Sequence, residues 1–128
     1  MIHILLVEDH SYVRMLLRQL IEMYDDISIV GEAVNGEDAL RLAAKLQPDV
    51  VIMDVHLPVL SGVVTTTLIK LNNPSTAIIG LTAGSAQEDE KAMLVAGAAS
   101  VINKSDVLQA LHPAIIDAAK QVIKPVIY

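Results

Sequence analysis

Val50-Val51-Ile52-Met53, closed by Asp54, is the stretch on which the fold turns. It is an unbroken apolar run too short for a helix and without polar alternation, so it reads as a strand covered on both faces. Ile2–Val7 has nearly the same character and is closed by Glu8 and Asp9. Ile27–Val34, Ala77–Leu81 and Ser100–Ile102 are the other strand candidates.

Between these runs the period changes to that of a helix. Val13, Leu16, Leu17, Leu20, Ile21 and Tyr24 share one helix face, with Arg14, Arg18 and Glu22 opposite. Ala39, Leu40, Ala43 and Leu46 repeat the pattern more briefly, and Pro48 marks the way out. Ala92, Met93, Val95 and Ala96 form a third face, ended by Gly97. Val107, Leu111, Ile115, Ala118 and Val122 form the last. Gly62–Leu71 carries five β-branched residues in succession, Val63 to Thr67, which locally favour strand. Helix is assigned there because a strand would break the alternation on both sides. Pro113 removes a helical hydrogen bond and is expected to kink the final element.

The pattern is (βα)₅: an α/β chain with a doubly wound, parallel five-stranded sheet, right-handed crossovers and helices on both faces. No repeat, low-complexity tract or linker interrupts it, so residues 1–128 read as a single domain. Apolar residues make up 53 % of the chain, and its three aromatic residues are all tyrosines, so the core rests on aliphatic side chains. The absence of cysteine excludes disulfides, thiolate metal sites and thiol catalysis. A net charge of −6 argues against direct nucleic-acid binding. The first apolar run is too short and too acidic at its end for a signal peptide, and no stretch reaches the roughly 20 apolar residues of a membrane helix. A cytoplasmic protein without membrane contact is the expectation.

In such sheets ligands bind beyond the carboxyl ends of the strands, where the strand order reverses. Glu8 and Asp9, Asp54, Thr82 and Lys104 follow four different strands, so the topology gathers them along one edge. Crowded carboxylates raise one another's pKa, and a divalent cation relieves the conflict. An all-oxygen ligand set favours a hard ion such as Mg²⁺, with Mn²⁺ as an acceptable substitute. This suits phosphoryl transfer, with Asp54 as the nucleophile forming an acyl phosphate. Lys104 would neutralise one phosphoryl oxygen, the Thr82 hydroxyl would bond another, and backbone N–H groups after Asp54 and Thr82 would supply further donors.

Val7-Glu8-Asp9, Met53-Asp54-Val55-His56-Leu57-Pro58 with Ser61-Gly62, Leu81-Thr82-Ala83 and Asn103-Lys104 together resemble the motif set of response-regulator receiver domains. The likeness is in order and spans almost the whole chain. It implies a flavodoxin-like sheet in strand order 2-1-3-4-5, and phosphorylation of Asp54 by a sensor histidine kinase or a phosphotransfer protein. It further implies metal contact by Asp9, Asp54 and the His56 backbone carbonyl, with Glu8 acting through water. Thr82, Lys104 and the Ala83 backbone N–H would bind the phosphoryl group. Asp9-His10, Val30-Gly31-Glu32-Ala33 and Ser105 after Lys104 resemble the subfamily that carries a C-terminal LuxR-type helix-turn-helix. The chain ends before such a domain would fit, and its apolar last residues, 123–128, read as a cut or a docking tail. At the position where the family often places Tyr or Phe as a rotating switch, this chain has Val101, so coupling would run through loop movement.

Taken singly, each fragment has an ordinary reading: solvated acids at Glu8-Asp9, a turn-capping Asp54, a backbone-bonded Thr82, a surface Lys104. The four histidines show no shared ligand spacing, and the His56 ring reads as free to modulate access of water. Glu88-Asp89-Glu90 reads as a solvated helix start; Met15, Met23, Met53 and Met93 read as packing residues.

Phosphorylation adds about −1.5 to −2 charges at Asp54. Movement of Thr82 toward the new oxygens would bias the face made by the fourth helix, fifth strand and fifth helix, near Ala92, Val95, Val101 and Val107. That face would take an apolar partner or a second copy, and the output would include control of transcription. The module would turn over once, with slow self-hydrolysis, and would not be an enzyme. The rival readings are a Mg²⁺-dependent phosphohydrolase, which generally wants an acid where His56 stands, and a phosphorylation-independent binding module of the same fold.

Overall fold

The computed structural model describes residues 1–84 and 87–121. The expectations for Val122 and for the apolar tail 123–128 lie outside the described residues. Five strands, β1 (Ile2–Val7), β2 (Ile27–Ala33), β3 (Val50–Asp54), β4 (Ala77–Thr82) and β5 (Ser100–Asn103), alternate with helices α1 (Ser11–Glu22), α2 (Gly36–Leu46), α3 (Gly62–Asn72), α4 (Gln87–Ala96) and α5 (Val107–Gln121). All pairings are parallel, and the sheet order is β2-β1-β3-β4-β5. The chain winds outward from β1 to β2, then returns past β1 to β3, so the reversal lies between β1 and β3.

β3 shows why an unbroken apolar run is needed at the centre. Val50 and Ile52 join Ile4, Leu6, Ile79 and Leu81 in a core closed by Leu17 and Ile21 of α1 and Leu111 and Ile115 of α5. Val51 and Met53 point the other way, into a core with Leu5, Val7 and Ile78, closed by Ala39 and Ala43 of α2, Ile69 of α3 and Met93 of α4. Every residue of β3 is buried. Burial of a large aliphatic side chain is worth about 1.5–3 kcal/mol, and β3 collects that on both sides.

Helix starts follow local chemistry. Asn35 caps α2 by accepting from the Asp38 N–H at 2.8 Å, and Ser61 caps α3 by accepting from Val64. The threonine-rich α3 is a helix despite its local propensity because it packs on the sheet, burying Thr65, Thr66 and Ile69; the Thr65 and Thr67 hydroxyls donate to carbonyls one turn back, to Ser61 and Val63. Thr66 turns inward, its hydroxyl 3.7 and 3.8 Å from the sulfurs of Met53 and Met93.

Several expectations need correction. β2 stops at Ala33, one residue early, while β3, β4 and β5 each run one residue further, through Asp54, Thr82 and Asn103. Met53 and Met93 are core residues, but Met15 and Met23 are exposed, as is Leu16. Arg14 and Arg18 are not on an open face either: both reach across to Glu32 of β2. Helical periodicity separates a helix's two sides and says nothing of a neighbouring strand's carboxylate.

Candidate functional site

The last pair between β1 and β3 is Val7 with Met53, so Glu8 and Asp54 leave the sheet side by side. Glu8 is fully buried and Asp54 is 4 % exposed. Lys104, the residue after β5, reaches between them: its Nζ lies 2.8 Å from Glu8 Oε1 and 3.0 Å from Asp54 Oδ2. The other Asp54 oxygen, Oδ1, accepts the His56 backbone N–H at 3.0 Å, so the turn-capping role available to an aspartate is realised as well. Gly62 closes the loop behind Asp54, its N–H donating to Val55 O at 2.7 Å. A Cβ there would stand 2.5 Å from Asp54 O and 2.7 Å from Val55 Cα, so only glycine permits the loop to pass this close to the strand.

Burial pushes the Glu8 carboxyl above its ordinary range, and the Asp54 charge adds to that, against hydrogen bonds from Lys104 and the His10 amide. Burial alone would lower Lys104, but its bonds to Glu8 and Asp54 outweigh this and hold the ammonium more basic than usual.

Asp9 completes the cluster. Among the described residues its Oδ1 is buried without a hydrogen-bond partner, with the His10 Nδ1 at 3.3 Å. A buried carboxylate oxygen in that condition is costly unless a cation faces it. Ligand atoms of Glu8, Asp9, His10 and Asp54 lie within 4.8 Å of one another. The residues therefore fit a hard divalent ion on carboxylate oxygens. The four histidines share no ligand spacing, yet the His10 ring alone turns over the acidic turn, 3.3 Å from Glu8 Oε2 as well. Its place directly after Asp9 is the signal that sequence reasoning passed over.

The other expected residues are placed as follows. Thr82 is buried at the end of β4, paired with Asn103, and Ala83, which follows it, is exposed. Gly84 stands at φ +67°, and its carbonyl accepts from the Asn103 side chain. Val101 is half-buried on β5, facing α4 beside Gly80 and Met93. The His56 ring is not free: its Nε2 lies 2.8 Å from Asp89 Oδ2. Asp89 thus does more than dress the start of α4; it ties α4 to the loop after Asp54.

Residues 4–116 match the family model described as the response regulator receiver domain. The chain belongs to that family. Among curated relatives, the receiver is 36 % identical over 115 residues to the nitrate/nitrite response regulator protein NarL of Escherichia coli K12, covering 87 % of this chain and 53 % of NarL. It thus spans about half the length of that relative. Among solved structures, it superposes at TM-score 0.82 and 28 % identity on a LuxR-family two-component response regulator from Aurantimonas, covering 94 % of each chain. It also superposes at TM-score 0.82 and 26 % identity on the receiver domain of Ssk1 from Saccharomyces cerevisiae, covering 93 % of this chain and 89 % of that one. The Ssk1 receiver was crystallised with the histidine phosphotransfer protein Ypd1. The receiver is therefore a two-component signalling module with a flavodoxin-like sheet, as its motifs imply.

Proposed function

We propose that this receiver works as a phosphoacceptor switch in which Asp54 takes a phosphoryl group from a histidine kinase or phosphotransfer protein. The observation that carries the reading is the Asp54 carboxylate itself. It is nearly buried, with Lys104 on one oxygen and the His56 N–H on the other, beside an acidic turn whose Asp9 Oδ1 lacks a hydrogen-bond partner among the described residues. An oxygen of Asp54 bonds to phosphorus as the bond from phosphorus to the donor's imidazole nitrogen breaks. Mg²⁺, or Mn²⁺ in its place, held by Asp9, Asp54 and the His56 carbonyl with Glu8 behind water, would supply charge neutralisation for the transferred oxygens.

The chain's own groups then have distinct tasks. Lys104, already bonded to Asp54 Oδ2, turns its ammonium to a phosphoryl oxygen. Thr82 and the Ala83 N–H provide donors from the opposite loop, and Val101 leaves the response to loop displacement without a rotating ring. The partner would approach over the start of α1, where Tyr12, Met15 and Leu16 are exposed next to the acidic turn. Ssk1's crystallised contact with Ypd1 supports a phosphotransfer protein as the type of partner.

Residues 1–128 form one domain, cytoplasmic, without direct contact to nucleic acid or membrane; among the described residues no helix is long and apolar enough to cross one. A LuxR-type DNA-binding partner domain and control of transcription fit the likeness to NarL and to the LuxR-family structure. Phosphorylation would promote a homodimer through α4, β5 and α5, where Leu94, Val95 and Leu108 are exposed. Turnover as a phosphohydrolase is disfavoured, because the residue placed for a second acid, His56, is engaged by Asp89. Incubation with acetyl phosphate and Mg²⁺, read by intact mass, tests the reading. One phosphoryl group added to the wild type and none to Asp54→Asn is expected; labelling of both overturns it.

A further inference from the structure

Only three residues, Glu8, Asp9 and His10, lie between β1 and α1, and all three supply the atoms gathered around Asp54. The β1 ladder ends at that turn: the Glu8 N–H donates to Ala33 O at 3.1 Å, but its carbonyl lies past the last paired strand residue. A side chain takes over there. Arg14, one turn into α1, folds back so that its Nη1 donates to Glu8 O at 2.9 Å. Its own backbone N–H bonds His10 O at 2.9 Å, so Arg14 grips both ends of the turn.

The guanidinium is itself held. Its Nε lies 3.3 Å from Glu32 Oε1, and the other Glu32 oxygen is bonded by Arg18 at 2.7 Å. Arg18 is braced in turn by Glu22 at 2.7 Å. A planar, forked donor between a carbonyl and a carboxylate fixes geometry in a way a lysine cannot.

We infer that Arg14, clamped by Glu32, is a positioning residue: by holding the Glu8 carbonyl it sets the acidic turn at the spacing that lets one divalent cation meet Asp9 and Asp54 together. The inference rests on the phosphoacceptor reading and adds to it residues that touch neither ion nor phosphoryl group. Charge and position predict opposite results here. As a cation near an acidic cluster, Arg14 would weaken metal binding, and its loss would strengthen it. As a positioning residue, its loss weakens binding.

The test measures Mg²⁺ binding by calorimetry and by the Mg²⁺-dependent rise in Tm, in wild type, Arg14→Met, Arg14→Lys and Glu32→Gln. Acetyl phosphate labelling is followed at varied Mg²⁺. The expected result is a roughly 10-fold rise in the Mg²⁺ dissociation constant for Arg14→Met, as for other groups that orient metal ligands. Arg14→Lys should follow Arg14→Met despite keeping the charge, and Glu32→Gln should show a smaller rise. Labelling at saturating Mg²⁺ should return to near the wild-type rate in all three. Unchanged or tighter Mg²⁺ binding in Arg14→Met overturns the inference, as does a fall in metal-free Tm without change in Mg²⁺ affinity. Failure of the wild type itself to bind Mg²⁺ and become labelled overturns the phosphoacceptor reading instead, so the two failures are distinct.

Discussion

Lys104 Nζ sits 3.0 Å from Asp54 Oδ2, although fifty residues separate the two in the chain. The same ammonium meets Glu8 at 2.8 Å, so a single cation balances two buried carboxylates. Lys104→Met should cut the rate of acetyl phosphate labelling by about 10². It should also lower metal-free stability by about 1–3 kcal/mol, because the carboxylates lose their shared donor. Unchanged labelling by intact mass, with unchanged urea midpoint, would remove Lys104 from the site.

Two glycines should respond very differently to an added methyl. At Gly62 a Cβ meets the backbone of Asp54 and Val55, which has nowhere to go; at Gly80 it meets the terminal methyl of Met93 at 2.8 Å, which can swing aside. Gly62→Ala is expected to cost about 3 kcal/mol in urea unfolding, and Gly80→Ala under about 1 kcal/mol. Equal costs would contradict the contact pattern.

Lys70 offers a pH test away from the cleft. Burial lowers its pKa below the ordinary lysine range, while its Nζ donates to the carbonyls of Pro74 and Thr76 at 2.7 and 2.9 Å. Between the lowered folded value and the ordinary unfolded one, the unfolded chain holds the extra proton. Stability contributed by this group therefore rises with pH across that alkaline window. Relative to Lys70→Met, the wild type should gain stability as pH climbs through it; parallel pH curves for the two proteins would refute the assignment.

The bond between His56 and Asp89 joins two exposed segments at 2.8 Å. A double-mutant cycle of His56→Ala and Asp89→Ala should return a coupling of about 0.5–1 kcal/mol. Zero coupling would mean the contact does not persist in solution.

On the α4–β5–α5 side, Val95 is 81 % exposed and Leu108 is 72 % exposed. Val95→Asp with Leu108→Asp should leave Asp54 labelling intact and abolish a phosphorylation-dependent dimer in sedimentation velocity. A dimer that survives both changes places the contact elsewhere.

The sheet was legible because its central strands are apolar on both faces, a pattern few other structures tolerate, and because strand ends in a parallel sheet share an edge. Asp54, Glu8, Asp9 and Lys104 were legible for that reason. Arg14, His10 and Asp89 were not. Arg14 and Asp89 act by side chains reaching from one element to another, Arg14 to the Glu8 carbonyl and Asp89 to the His56 ring, and no periodicity encodes such reach; His10 acts within its own turn, on Glu8. Helix at α3 was legible from the alternation of elements and not from its threonines, whose local preference is overridden by burial of Thr65, Thr66 and Ile69 against the sheet.

β3 is packed solid on either side, and Asp54 is its last residue. A displacement forced on that carboxylate has no slack to enter beneath it, since close-packed interiors yield very little. The work must travel sideways, into the rim of connecting segments that hold His56 and Ala83. A stiff mount with a compliant border makes the site deliver its motion outward, toward whatever rests on the molecule's upper edge.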